Sequence, residues 1–279
     1  MRRFPQLASF ALAFLAAFDA AAWGPDGHAI VAEVAQRRLT PAAVREVEAL
    51  LGRGASLASV SMWADEVRDS RPETFNWHFV DIPLAETRYD AARDCPAPAK
   101  GECIVGALGR LRAQLGCSAK PAVRREALRY VVHLVADVHQ PFHTVQDDRG
   151  GNEVRVEVML HPARCPRCGA RRGRDNLHAL WDSTLIAATA RSWGAYVARL
   201  EEGFLDSDEA REVRAGDPTR WAEEAHAAAR DMRAALPPGG VVGDAYYAKA
   251  LPVLDRQLAR AGLRLAGWLN EAFARRCPR

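Results

Sequence analysis

Five histidines and three aspartates have the types and spacing of metal ligands: His28, His78, His133, His143 and His178 with Asp65, Asp137 and Asp182. They fall in separate clusters. These are Trp23-x4-His28, Trp63-Ala64-Asp65, Asn76-Trp77-His78, the run from His133 through Asp137 and His139-Gln140-Pro141 to His143, and Asn176-Leu177-His178 with Trp181-Asp182. Neutral imidazole and carboxylate suit zinc, with bonds of about 2.0–2.2 Å. The set is too large for one such ion and suits several. His133 and Asp137 are spaced i, i+4, which puts both side chains on one helix face, one turn apart. His178 and Asp182 repeat the spacing. A carboxylate has two oxygens, so Asp137 has the means to join adjacent ions.

An isolated His-x3-Asp pair is most often a surface ion pair. Here Val131, Val132, Leu134, Val135, Leu177 and Leu180 surround the pairs and turn both faces inward, where a polar group needs a partner. His139, His161 and His226 lie outside the spacing. They read as a supporting group, an insertion residue and a surface residue. Trp77 and Trp181 read as core packed around the cluster.

The elements that carry these residues are mostly helical, in a chain rich in Ala, Arg and Leu. The pattern predicts helices over 29–39 and 41–51, with Thr40 as N-cap and Pro41 in the first turn. A helical segment over 56–67 carries Trp63 and Asp65, with Arg68 just beyond. Residues 70–82 read as extended or looped and 84–101 as a loop. Helices follow over 104–115 and 123–139, the second ended by Pro141. Residues 153–158 alternate charged and apolar side chains after Gly150-Gly151, the one clear strand pattern. Helices resume from Asn176 to Phe273, with breaks near Gly216-Asp217-Pro218 and Pro237-Pro238-Gly239-Gly240. The expected fold is an all-α, single compact multi-helix domain with one small β-hairpin.

Residues 1–22 read as a signal peptide: Arg2-Arg3, an apolar stretch from Leu7 to Phe18, and Ala20-Ala21-Ala22 before the cut. The stretch is short for a membrane span. The expectation is a cleaved leader, one domain over 23–279, export to the periplasm or medium, and no membrane insertion after cleavage. A net charge of +3 excludes a global basic field for long duplexes, so any nucleic-acid contact must be local. Six cysteines in an exported chain permit disulfides. Cys95 and Cys103 flank a Pro-rich loop and read as a pair. Cys117 and Cys277 are candidates for another, and sequence alone leaves connectivity open.

With these motifs in order, the chain resembles the zinc-dependent nuclease/3′-nucleotidase family, the mung-bean-type single-strand nucleases. The resemblance spans nearly all of residues 23–279. It rests on Trp23-x4-His28, Trp63-Ala64-Asp65-x2-Arg68, Asn76-Trp77-His78-Phe79-x-Asp81, His133-x3-Asp137-x5-His143 and Asn176-Leu177-His178-x2-Trp181-Asp182. It implies a fold similar to zinc phospholipase C and three zinc ions. One is held by Asp65, His78, His133 and Asp137. A second takes the Trp23 amine and carbonyl, His28 and the other Asp137 oxygen. A third takes His143, His178 and Asp182. The implied chemistry is phosphodiester hydrolysis of single-stranded DNA or RNA, and of 3′-nucleotides, by ion-activated water, leaving 5′-phosphates.

The resemblance also implies that Arg68 binds phosphate and that Phe79 stacks a base. Asp81 would accept from the base edge or orient water. Asn152 would help to hold phosphate, with a plain turn role as the alternative. No stable protein partner is implied, and a monomer is expected. The competing readings are a zinc phospholipase C and an exported zinc-binding protein without catalysis. Cys165-Pro166-Arg167-Cys168, followed by Arg171, Arg172 and Arg174, is foreign to the family pattern. A short-range disulfide suits the cysteines, and the arginines are either phosphate contacts or solvated charges.

Overall fold

The computed structural model describes residues 23–96, 101–161, 171–213 and 215–274. The leader, Cys165, Cys168 and Cys277 lie outside them. Helices dominate, and their starts follow local chemistry. The Pro41–Leu51 helix has the expected bounds: the Thr40 side chain accepts from the Ala43 amide and Pro41 occupies the first turn. Proline also opens the helices Pro25–Gln36, Pro121–Asp137 and Pro218–Ala234. At the last of these, the Asp217 carboxylate accepts from the Arg220 amide.

Two helices form the frame. Pro121–Asp137 runs through the middle, with every residue from Tyr130 to Asp137 buried. The long C-terminal helix, Asp244–Ala274, packs against Pro25–Gln36. Gly262 permits that approach, because a Cβ there would stand 2.6 Å from Val34 Cβ and 3.1 Å from the Val31 carbonyl oxygen. Trp23, Trp181, Trp221 and Trp268 are the largest of the fully buried side chains.

The expected hairpin is present and gains a strand. β1 (Arg155–Leu160) pairs antiparallel with β2 (Arg171–Asn176), and β3 (Val241–Gly243) joins β1 in parallel, giving the order β2-β1-β3. β3 is only three residues long, too short for a legible alternation. The expected helix over 56–67 is broken instead into a 3-10 turn at Ala58–Val60, an α-turn at Trp63–Val67 and a 3-10 turn at Arg68–Ser70. Pro72–His78 is likewise a 3-10 segment where extended or looped chain was expected. The 84–101 loop contains a short helix, Ala91–Asp94, capped by Asp90. The expected Cys95–Cys103 disulfide is formed, and Cys117 is also disulfide-bonded. No helix among the described residues is long and apolar enough to cross a membrane.

Helix packing gives a paired stability test. Gly262→Ala should destabilise the chain by about 1–3 kcal/mol through overpacking. Gly109→Ala, in the Ile104–Cys117 helix with nothing within 4 Å of the new methyl, should stabilise it by about 0.5–1 kcal/mol. Denaturant midpoints at constant slope decide between these signs.

Candidate metal centre

The end of the Pro121–Asp137 helix and the turn beyond it deliver His133, Asp137 and His143 to one buried place. His28 enters from the Pro25–Gln36 helix, Asp65 from Trp63–Val67, and His78 from the end of the 3-10 segment. His178 and Asp182 follow β2. The expectation of one regular helix there is corrected: a short turn, Leu177–Ala179, runs into a π-turn, Leu180–Thr184. Such widened turns often mark functional sites. His178 Nε2 still lies 3.5 Å from Asp182 Oδ2.

The described side chains form three metal-capable groups: Asp65, His78 and His133; His28, His133 and Asp137; and His143, His178 and Asp182. The separations in the first are those a small cation would set. His78 Nδ1 stands 3.1 Å from His133 Nε2 and 3.0 Å from Asp137 Oδ2, and the last two atoms are 3.1 Å apart. Asp65 Oδ1 lies 3.5 Å from both imidazole nitrogens. A tetrahedron with metal–ligand bonds of about 2.0–2.1 Å has edges of about 3.3 Å. The other Asp137 oxygen, Oδ1, lies 3.3 Å from His28 Nε2. One carboxylate therefore faces two groups, one with each oxygen.

Tautomers are fixed from behind. Nδ1–H of His133, His143 and His178 donates to the carbonyl oxygens of Ser61, His78 and Gly150, at 2.6, 2.8 and 2.8 Å. Each bond leaves Nε2 as the free donor atom for a metal, the usual supporting pattern for ligating imidazoles. Nε2 of His28, His143 and His178, both Asp65 oxygens and Asp137 Oδ1 are buried without a hydrogen-bond partner. So many unsatisfied nitrogen and oxygen atoms converging in one place fit cations that complete them.

The electrostatics agree. Burial, then the His133 charge, lowers the His28 pKa to about 4; burial, then His143, lowers His178 to about 3. Burial also lowers His143. Burial would lower His133 too, but the charges of Asp137 and Asp65 outweigh it and raise it to about 10. His133 thus keeps a positive charge beside the two carboxylates. Burial opposes ionisation of Asp137 and Asp65, yet His133 holds Asp137 well below the usual carboxylate range and Asp65 at about 2. Asp182 lacks such help. Burial raises it well above the usual range, against the Gln140 amide that donates to Oδ1 at 2.5 Å.

The remaining expected residues have mixed surroundings. Arg68 Nη1 lies 3.9 Å from Asp65 Oδ1, and its guanidinium covers the Phe75 ring at 4.8 Å. The ion pair is mostly buried, not exposed. Phe79 is half-buried and meets Phe75 edge-on at 5.9 Å. Asp81 is exposed as a residue, while partial desolvation and the Asp94 charge push its carboxyl up. Asn152 Nδ2 donates to the Arg149 carbonyl oxygen at 2.8 Å. Trp23 is buried, with its indole N–H on the Ala136 carbonyl oxygen at 2.9 Å, beside Asp137. Trp181 and half-buried Trp77 pack as expected, Trp77 against Tyr130 and Arg110.

His226 is corrected from surface to core: it is 1% exposed, with Nδ1 on the Thr144 carbonyl oxygen. His139 donates to the Val135 carbonyl oxygen and accepts from Arg264, supporting the turn from below. His161 is exposed after β1 and pairs with Asp244. Sequence reading missed Ser61, Gln140 and Gly150. Gly150 belongs to a left-handed run, Asp148, Arg149, Gly150 and Gly151, with φ of 50, 53, 65 and 82°. A Cβ on Gly150 would stand 2.6 Å from the Phe142 carbonyl oxygen and 3.2 Å from His178 Nδ1. The Gly-Gly doublet was a turn signal, but nothing local tied it to His178.

Residues 23–274 match the family described as S1/P1 Nuclease. The chain belongs to that family. It is 31% identical to Endonuclease 2 of Arabidopsis thaliana over 90% of each chain. It is 29% identical to Nuclease P1 of Penicillium citrinum over 89% of this chain and 97% of that one. With Nuclease S1 of Aspergillus oryzae the identity is 27%, over 89% and 91%. The expected family and its helical fold are thereby borne out, and membership makes the chain a nuclease acting on nucleic acid.

The metal-free chain should be most stable near pH 6.5. Below that value the unfolded histidines bind protons that folded His28 and His178 refuse, so stability falls as pH drops from 6.5 toward 4. Folded His133 holds its proton up to about 10, so that contribution is lost as pH rises from 6.5 through 10. Raised Asp182 contributes stability that is lost as pH rises from about 4 through its folded pKa, which offsets part of the acid-side gain from the histidines. Thermal midpoints in chelator from acid to alkaline pH should trace a dome, whereas a flat profile would contradict the assignment.

Proposed function

We propose that the mature chain, beginning at Trp23, is an exported zinc nuclease. It hydrolyses single-stranded DNA and RNA to 5′-phosphate products and acts on 3′-nucleotides. The observation that carries this reading is the pair of Asp137 oxygens, Oδ1 facing His28 and Oδ2 facing His78 and His133, in a chain of the nuclease family. Three zinc ions fit the donor sets: Asp65, His78, His133 and Asp137; Trp23, His28 and Asp137; and His143, His178 and Asp182. The Trp23 indole bond beside Asp137 supports the terminal amine as a ligand, which requires removal of residues 1–22. When bound, the ions supply a polarised water and offset the charge on the phosphoryl oxygens.

The chain's own groups do the rest. The carbonyl oxygens of Ser61, His78 and Gly150 hold three imidazoles in the tautomer that presents Nε2. Gln140 aims the Asp182 carboxylate. Arg68, flanked by Asp65 and Phe75, offers guanidinium N–H groups to a substrate phosphate. Phe79 gives an aromatic face to an unpaired base, and Asp81 accepts from its edge. A base within a duplex cannot turn onto such a face, which supports preference for single strands.

Zinc per chain, measured by elemental analysis, should be near three for the mature protein. Asp137→Ala should lose two ions and Asp182→Ala one. The mature enzyme should cleave single-stranded DNA and RNA but not phosphatidylcholine; turnover of the lipid alone would sink the reading. Arg68→Ala should lower kcat by about 10²–10³, as loss of a charge-stabilising donor does, with zinc content unchanged. Residues left ahead of Trp23 should abolish most activity, and full activity would contradict the terminal-amine role.

A further inference from the structure

Along β1 the burial alternates: Val156, Val158 and Leu160 face the core, while Arg155, Glu157 and Met159 face outward. The register sets Arg155 opposite Asn176, Glu157 opposite Arg174 and Met159 opposite Arg172. Side chains directly opposite share a face, so the outward face carries Arg155, Arg172 and Arg174 against the single acid Glu157. All three arginines are exposed, and none makes an ion pair among the described residues. By contrast, Arg38, Arg71, Arg93, Arg124, Arg199 and Arg264 each hold a carboxylate.

The strip also has a direction. β2 ends at Asn176, whose side chain caps the turn containing His178. At about 3.3 Å per residue, Arg174 lies about 7 Å and Arg172 about 13 Å up the strand from Asn176. The base of the hairpin is tied to the same place, since the Leu177 amide donates to the Val154 carbonyl oxygen. The positive row thus leads outward from the His143, His178 and Asp182 group. Charges on an edge strand also deter pairing with other chains, a task that either sign fulfils. Here the one acid on β2, Asp175, is taken up by a hydrogen bond from Thr184, and the outward charges of β2 are both arginine, Arg172 and Arg174.

We propose that Arg155, Arg172 and Arg174 form a phosphate track that holds the continuing strand of a polynucleotide whose scissile bond lies at the metal centre. The proposal rests on the nuclease reading and deepens it: the preferred substrate is a long single strand, and the preference is electrostatic. A chain near neutrality overall gains attraction for a polyanion only where it is needed. Dinucleotides end before the track and gain nothing from it.

The test is the zinc-loaded mature enzyme carrying Arg155→Gln, Arg172→Gln and Arg174→Gln together. Its kcat/KM is compared with wild type on an oligodeoxythymidylate of roughly 20 nucleotides, longer than one single-strand site, and on a dinucleotide. Each phosphate contact to a single strand contributes about 0.7 to the slope of log affinity against log salt, so the triple variant should lose about 2 from that slope. Wild type should then fall about 20-fold more than the variant between about 50 and 200 mM salt. Dinucleotide turnover and the thermal midpoint should stay unchanged. An unchanged slope on the long strand overturns the track, as does an equal loss on both substrates. The same holds if removing equal charge elsewhere (Arg45→Gln, Arg53→Gln, Lys120→Gln) lowers the slope as much. If wild type cleaves neither substrate, the nuclease reading itself fails.

Discussion

Burial of the Asp137 carboxylate sets the terms for this molecule. Both oxygens lie inside the protein, at the end of a helix whose last two turns are wholly buried. An uncompensated buried carboxylate costs several kcal/mol. The surrounding groups are chiefly imidazoles, which carry no charge unless protonated. His133 supplies one positive charge by holding a proton to about pH 10. Asp65, its pKa held at about 2, adds further negative charge within the same cluster. One imidazolium against two carboxylates leaves a deficit that a divalent cation would remove. Such cations would also satisfy the orphaned Nε2 atoms of His28, His143 and His178.

The fold can be understood as the apparatus that makes this burial tolerable. The approach of Pro25–Gln36 to Asp244–Ala274 at Gly262 brings His28 to the frame helix. The left-handed turn over Asp148–Gly151 costs about 1–2 kcal/mol at each non-glycine position. It sets the Gly150 carbonyl oxygen against His178. The turn from Val138 to Thr144 is held by Arg264 through His139, by His226 on the Thr144 carbonyl oxygen, and by Gln140 on the Phe142 amide. Asp137, Gln140 and His143 leave this turn toward different parts of the cluster. Rigid support of that kind keeps ligands in place before a metal arrives.

Much of this was legible from residue order. The eight His and Asp ligands assigned by spacing and resemblance are the residues that converge, and Thr40-Pro41 marked its helix start correctly. What escaped has a physical reason in each case. Ser61, His78 and Gly150 act through backbone carbonyls, which every residue possesses, so no side-chain pattern announces them. The π-turn at Leu180–Thr184 inserts a wider loop without changing the His-x3-Asp spacing. Ser56 to Val67 has helical composition but must bend to deliver Asp65, and tertiary demand overrode propensity. His226 looked like a polar residue on a polar helix; only its partners, from segments 82 and 140 residues away in sequence, explain its burial. β3 pairs with β1 across a long connection and carries too few residues to show a period.

Anomalous diffraction at the zinc edge, from crystals of the chain beginning at Trp23, tests the central claim most directly. Two peaks are expected beside the Asp137 carboxylate, one per oxygen, and a third among His143, His178 and Asp182. A single peak, or peaks that leave Asp137 without metal on both oxygens, would contradict that claim.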